Sequence, residues 1–136
     1  MNLIDLFTII ENKISLGNSL KDCVDILNLY NSKDYSNYVI KNENKYNRKV
    51  VISNKDIELV IITWSNGQSS GFHGHPGECI FKVLENTIHE EKKCKNMNKE
   101  HIYNIGDIGY IDNSIGIHNM IAVSDAVTLH IYNPPF

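Results

Sequence analysis

Two histidines one residue apart, His73 and His75 around Gly74, are the pair in this sequence best spaced for chemistry. Side chains alternate along an extended chain, so the spacing predicts both imidazoles on one face, two nitrogen donors preset for a divalent metal ion. Histidines at this spacing also occur on surfaces that bind nothing, and the pair alone leaves that open. A second set stands near the other end, where Thr128, His130 and Tyr132 alternate with Val127, Leu129 and Ile131. A strand there would present hydroxyl, imidazole and phenol on one face and an apolar back on the other, a relay suited to holding a proton. The same His and Tyr could instead satisfy each other inside a core. Arg48 offers a planar, permanently charged fork that matches a carboxylate, and Tyr46, two residues earlier, shares its face on an extended segment. The alternative is a solvated Arg in an ion pair beside a core Tyr.

The elements that must position these groups follow from the periodicity of the apolar residues. Leu3, Phe7, Ile10 and Ile14 recur at helical spacing, with Gly17 placed to end the helix. Ser19 and Asp22 form a capping-box pattern ahead of Leu20, Val24 and Leu27, which predicts a second short helix. Residues 1–40 are thus expected to be a helical part packed on the rest. From Tyr46 the character changes to short β-rich runs at 48–53, 57–64, 79–84 and 126–132, broken by Asn, Gly, Asp and Ser. This predicts a mainly β fold, a small antiparallel barrel or jelly roll over 46–136. With no internal repeat or linker, residues 1–136 are expected to form one domain. The charged stretch from Lys92 to Lys99 is expected to be a loop, with His89, His101 and Cys94 near it holding no metal. Trp64 is expected to pack at the barrel mouth.

Gly67 followed by His73-Gly74-His75, and later Gly106 ahead of Gly116-Ile117-His118, resemble the two motifs of the cupin superfamily. In that fold the second motif brings a histidine across the barrel to the first pair, which implies His73, His75 and His118 as a three-imidazole metal site. Where many cupins carry a ligand glutamate this chain has Cys79. Three neutral imidazoles leave a divalent ion its full charge and leave positions open for an anionic chelating substrate and oxygen; ligand type alone would equally admit zinc or nickel. The resemblance narrows over four stretches: Tyr46-Asn47-Arg48; residues 64–84, ending Cys79-Ile80-Phe81-Lys82-Val83-Leu84; Gly116-Ile117-His118; and Leu129-His130-Ile131-Tyr132-Asn133-Pro134-Pro135-Phe136. Across these the chain resembles the cysteine dioxygenases.

That resemblance implies a non-haem thiol dioxygenase with one Fe(2+) per chain, oxidising L-cysteine with O2 to cysteine sulfinate. Arg48 and Tyr46 would hold the substrate carboxylate, Tyr132 would stand near the iron, His130 would orient it, and Thr128 takes a place where relatives often have serine. Cys79 falls where animal members have a cysteine joined to the tyrosine corresponding to Tyr132 by a thioether bond; a plain buried thiol is the alternative. Two other readings stay open, a dioxygenase for another thiol carboxylate such as 3-mercaptopropionate and a non-catalytic cupin that binds metal or a small ligand. Relative to the family the N-terminal part is short and the chain stops where relatives often continue, which would leave the pocket more open.

Composition narrows the partners to small molecules. Thirteen Lys and Arg against sixteen Asp and Glu give a net charge of -3 without a basic cluster, so no nucleic acid partner is expected. No window is apolar over a bilayer's thickness and no basic stretch leads into an apolar run, so no membrane partner is expected either. Three cysteines, Cys23, Cys79 and Cys94, make no C-x-x-C and no paired framework. A cytoplasmic monomer is the expectation.

Overall fold

The computed structural model describes residues 1–136 and sets them in three layers. Helix α1 (Leu3–Ser15) starts at a capping box in which the Asn2 side chain accepts from Asp5 N at 2.8 Å and the Asp5 carboxylate accepts from Asn2 N. The second capping box, Ser19 with Asp22, opens a 3₁₀ turn (Leu20–Cys23) that runs into α2 (Val24–Leu29). A further 3₁₀ turn (Asp34–Tyr38) precedes the strands. No helix is long and apolar enough to cross a membrane.

Eight strands follow: β1 (Asn47–Ser53), β2 (Glu58–Trp64), β3 (Glu78–Glu85), β4 (Ile88–Cys94), β5 (Met97–Tyr103), β6 (Ile108–Asp112), β7 (Ile117–Ala122) and β8 (Ala126–Asn133). They form a five-stranded sheet, β1-β2-β8-β3-β6, and a three-stranded sheet, β5-β4-β7, all of whose pairs are antiparallel. The four expected β runs correspond to β1, β2, β3 and β8. The stretch from Lys92 to Lys99 departs from expectation: it is a hairpin joining β4 to β5, turning at Lys95 (φ 48°) and Asn96. Charged side chains on both faces of the outer half of β4 and of the exposed β5 hide the alternation that marks a half-buried strand.

The five-stranded sheet is covered on both faces, which is why β2 is buried at every position. Alternate residues serve the two sides. Leu59, Ile61, Ile80, Leu129 and Ile131 join Leu3, Leu6, Phe7, Ile10, Leu20 and Leu27 in a core under the helices. Lys82 on β3 ties the two together, its amine donating to the carbonyls of Leu27, Asn28 and Tyr30 at 3.3, 3.1 and 2.6 Å at the end of α2. Val60, Ile62, Trp64, Cys79, Phe81 and Tyr132 face the other way, onto Ile88, Met120 and Ala122 of the smaller sheet. Gly109 admits the Phe81 ring, since a Cβ there would stand 2.3 Å from Phe81 Cζ.

Candidate metal centre and its cavity

Antiparallel register lines up the polar positions in rows across the large sheet. Glu58, Tyr132, Cys79 and Ile111 are successive cross-strand partners; so are Val60, His130 and Phe81, and then Arg48, Ile62 and Thr128. Directly opposed residues share a face, so Arg48, Thr128, His130, Tyr132 and Cys79 all turn toward the smaller sheet. There they meet the histidines.

The His73-Gly74-His75 segment is not in a regular strand as expected. Residues 67–73 leave β2 and run beside β7 as an interrupted strand: Gly67 N donates to Ala122 O, Ser70 N to Met120 O and His73 N to His118 O, each at 2.9 Å. His118 N returns a bond to His73 O at 3.0 Å. Gly116 (φ 134°) starts this approach, and a Cβ on it would lie 2.1 Å from Lys93 O. The reciprocal pair of main-chain bonds brings the imidazoles of His73 and His118 together, ring centroids 4.5 Å apart, and His75 closes the set at 4.9 Å from each. The ligand atoms of the three lie within 4.8 Å of one another, and no other group of three such side chains occurs.

Hydrogen bonding settles which nitrogens face inward. Gly71 O and the Glu90 carboxylate can only accept, so His73 Nδ1, 3.0 Å from the first, and His118 Nδ1, 2.7 Å from the second, carry their protons. Each Nε2 is then turned inward, and the two stand 3.1 Å apart. His75 Nδ1 is buried with no partner at all. Burial, reinforced by the neighbouring His118 and His73, pulls His75 down to about 3, and burial lowers His73 too. Three imidazoles whose ligand atoms converge this closely fit a divalent metal ion.

Beside them lies a cavity of about 160 Å³, several times the room one water needs, lined by Tyr46, Arg48, Trp64, His130, Tyr132 and Phe136 among others. A hydrogen-bonded chain forms one wall. Trp64 Nε1 lies 2.9 Å from Thr128 Oγ1, which lies 2.8 Å from His130 Nε2, and His130 Nδ1 lies 3.3 Å from the Tyr132 hydroxyl. The indole can only donate, so Thr128 Oγ1 accepts from Trp64, and the His130 imidazole bridges Thr128 Oγ1 and the Tyr132 hydroxyl. Burial holds His130 well below its ordinary range and Tyr132 well above, so both stay neutral. Trp64 therefore does more than pack: it stacks on Tyr46 at 4.9 Å and donates to Thr128 at the head of this chain.

Of the expected site residues, Tyr46, Arg48, His73, His75, His118, His130 and Tyr132 line this one cavity. Tyr46 immediately precedes β1. Arg48 Nη2 pairs with Glu58 and donates to Phe136 O at 3.0 Å, and its guanidinium lies 5.1 Å from the Tyr132 ring centre. Cys79 is buried behind the lining, paired in register with Tyr132, its sulfur 3.9 Å from His130 Nδ1. Burial pushes its thiol up, out of the reactive range. His89 and His101 lie on β4 and β5, apart from the three. Three contributors were missed by sequence reading. Glu58 holds Arg48, the Phe136 ring stacks on Tyr132 at 5.3 Å, and Glu90, 1% exposed, holds His118. Burial alone would raise Glu90, but the bond from His118 and the charge of Lys92 bring it below the usual carboxylate range. Its only sequence signal was its alternation with Ile88 in a run dominated by charge.

The fold is shared with solved cupins. An RmlC-like cupin from Desulfovibrio desulfuricans matches with a TM-score of 0.65 at 21% identity over 79% of this chain and 99% of that one. A cupin superfamily protein from Desulfitobacterium hafniense matches at 0.65 and 12% over 78% and 94%. The protein is thus a mainly β cupin whose three converging imidazoles could hold a metal ion. The family described as Cysteine dioxygenase type I matches residues 3–136, and the chain belongs to that family. It is similar to the cysteine dioxygenase type 1 of Bos taurus, 32% identical over 119 residues (78% of this chain, 60% of that one), and of Homo sapiens, 31% over 116 (76% and 58%). The chain spans about three fifths of the length of these relatives.

Proposed function

We propose that the protein is an iron(II)-dependent thiol dioxygenase of the cytoplasm that converts L-cysteine and O2 to cysteine sulfinate. The observation that carries this reading is the convergence on one cavity of three imidazoles, a guanidinium and a buried tyrosine. His73, His75 and His118 would hold the ferrous ion, which supplies the redox chemistry coupling dioxygen to a thiolate. Arg48 and Tyr46 bind the substrate carboxylate, and the Arg48 fork, already fixed by Glu58, is preorganised for it. Tyr132 donates its proton to negative charge developing beside the histidines, while His130, steered by Thr128 and Trp64, holds the phenol in that direction. Both oxygen atoms end on sulfur, so no external reductant is needed. The cross-strand pairing of Cys79 with Tyr132 supports a thioether between them, formed with loss of two hydrogens to oxygen. Three free cysteines agree with a reducing compartment.

The test is oxygen consumption by anaerobically iron-loaded protein given cysteine, 3-mercaptopropionate or cysteamine, with mass spectrometry of product and protein. Cysteine sulfinate is expected, with turnover lost in His118→Ala because the metal centre loses a ligand, and with cysteamine a poor substrate because it lacks the carboxylate. Turnover of 3-mercaptopropionate alone would replace the substrate. Iron uptake without turnover of any thiol would leave a metal-binding cupin and overturn the dioxygenase. Protein lighter by two hydrogens, but not in Cys79→Ser, would report the thioether.

A further inference from the structure

The three imidazoles are not equivalent. His73 is anchored by a neutral carbonyl, Gly71 O, and His75 by nothing, whereas His118 donates to a carboxylate. Glu90 sits on β4 opposite Met120 and two residues from Ile88, where the surrounding core is Ile88, Met120, Ala122 and Phe81. An apolar side chain would pack there without the desolvation that a buried carboxylate brings. The carboxylate is instead fully engaged: Oε2 accepts from His118 Nδ1 at 2.7 Å, Oε1 accepts from the Tyr103 hydroxyl at 3.0 Å, and Lys92 Nζ stands 3.6 Å from Oε1.

We infer that Glu90 is a positioning residue for the metal centre, holding His118 with Nε2 turned inward and strengthening that imidazole as a donor, with Tyr103 holding Glu90 in turn. The inference rests on the reading of His73, His75 and His118 as a metal site. It changes that reading in one respect: an ion there meets three imidazoles plus a carboxylate one hydrogen bond away, so its effective charge is lower than three neutral ligands alone would leave. A ligating histidine backed by a carboxylate is a more basic and better oriented donor, and loss of such a partner typically weakens metal affinity by about ten- to a hundredfold.

The experiment titrates Co(II) into metal-free wild type, E90Q, Y103F and H118A against a chromophoric chelator, recording the visible Co(II) bands and the far-UV circular dichroism. E90Q keeps the shape and one acceptor oxygen for His118, turns the other position into a donor to the Tyr103 hydroxyl, and removes the charge. It is expected to fold as the wild type does, to bind Co(II) about ten- to a hundredfold more weakly and to shift the visible bands, which a purely structural role would leave in place. Y103F, which removes only the bond steadying Glu90, is expected to lose a few-fold. Unchanged affinity and bands in both variants, with H118A clearly weakened, overturns the role of Glu90 and keeps the metal centre. Wild type that binds no more tightly than H118A overturns the metal centre, and the inference with it.

Discussion

Val127, Leu129 and Ile131 face the helices and Thr128, His130 and Tyr132 face the cavity, on the same strand, and both sets are buried. The first set is held by contact alone, which is non-directional and tolerates neighbours of similar size. The second is held by directed bonds at 2.8–3.3 Å whose donors and acceptors must alternate correctly from Trp64 to Tyr132. The two faces divide the work by residue parity: odd positions of β8 carry stability and even positions carry the site. Changes on one face should therefore register in different measurements from changes on the other.

The sharpest break of that comparison is a pair of neighbouring substitutions. Leu129→Ala is expected to lower unfolding free energy by about 2–5 kcal/mol in urea titrations, leaving the metal affinity of folded protein intact. Thr128→Val, one residue away, leaves Trp64 Nε1 and His130 Nε2 without their shared partner, so it should cost about 1–3 kcal/mol and also depress turnover at saturating thiol, because His130 loses the bond that orients it. The reverse pattern would dissolve the division of labour. Next in size, Arg48→Ala is expected to weaken thiol binding by roughly 1.5–3 kcal/mol, the worth of a bond to a charged group, with Co(II) affinity unchanged. Equal loss of both would remove Arg48 from the substrate side of the cavity.

Acid tests the site face as a whole. Burial holds His73, His75 and His130 below the 6.5 of a free imidazole, His75 at about 3. Between those limits the unfolded chain binds protons that the folded metal-free chain does not, so stability is full above about pH 6.5 and falls as pH drops toward 3, by roughly 1.4 kcal/mol per pH unit for each such proton. Glu90, held below the usual carboxylate range, adds loss of the same sign. The melting temperature of the metal-free protein should fall across that window. Leu129→Ala should lower the whole curve with its slope intact, and His75→Leu should flatten it.

Sequence and structure agree wherever the relevant pattern is local. The parity of β8, the β2 and β3 runs and the Ser19-Asp22 capping box are set by neighbours within four residues, and each appears as the periodicity requires. The hairpin over Lys92–Lys99 was hidden because it is two-sidedly polar, and β7 because its short alternation, Ile117 to Ala122, sits between turns. Motif resemblance brought His73, His75, His118, Arg48, Tyr46, His130 and Tyr132 into one list without saying how they are held.

By itself the sequence determined the class of site: which side chains can bind a metal ion, which can meet a carboxylate, and which face of β8 each group takes, because residue type and alternation decide these. Only the tertiary structure decided their partners. Glu90 meets His118 across 28 residues, Glu58 and Phe136 meet Arg48, Trp64 meets Thr128 across 64, and the His73-Gly74-His75 segment is bent out of a strand by its pairing with β7. Such pairings depend on strand register and on how two sheets face each other, and no local pattern encodes either.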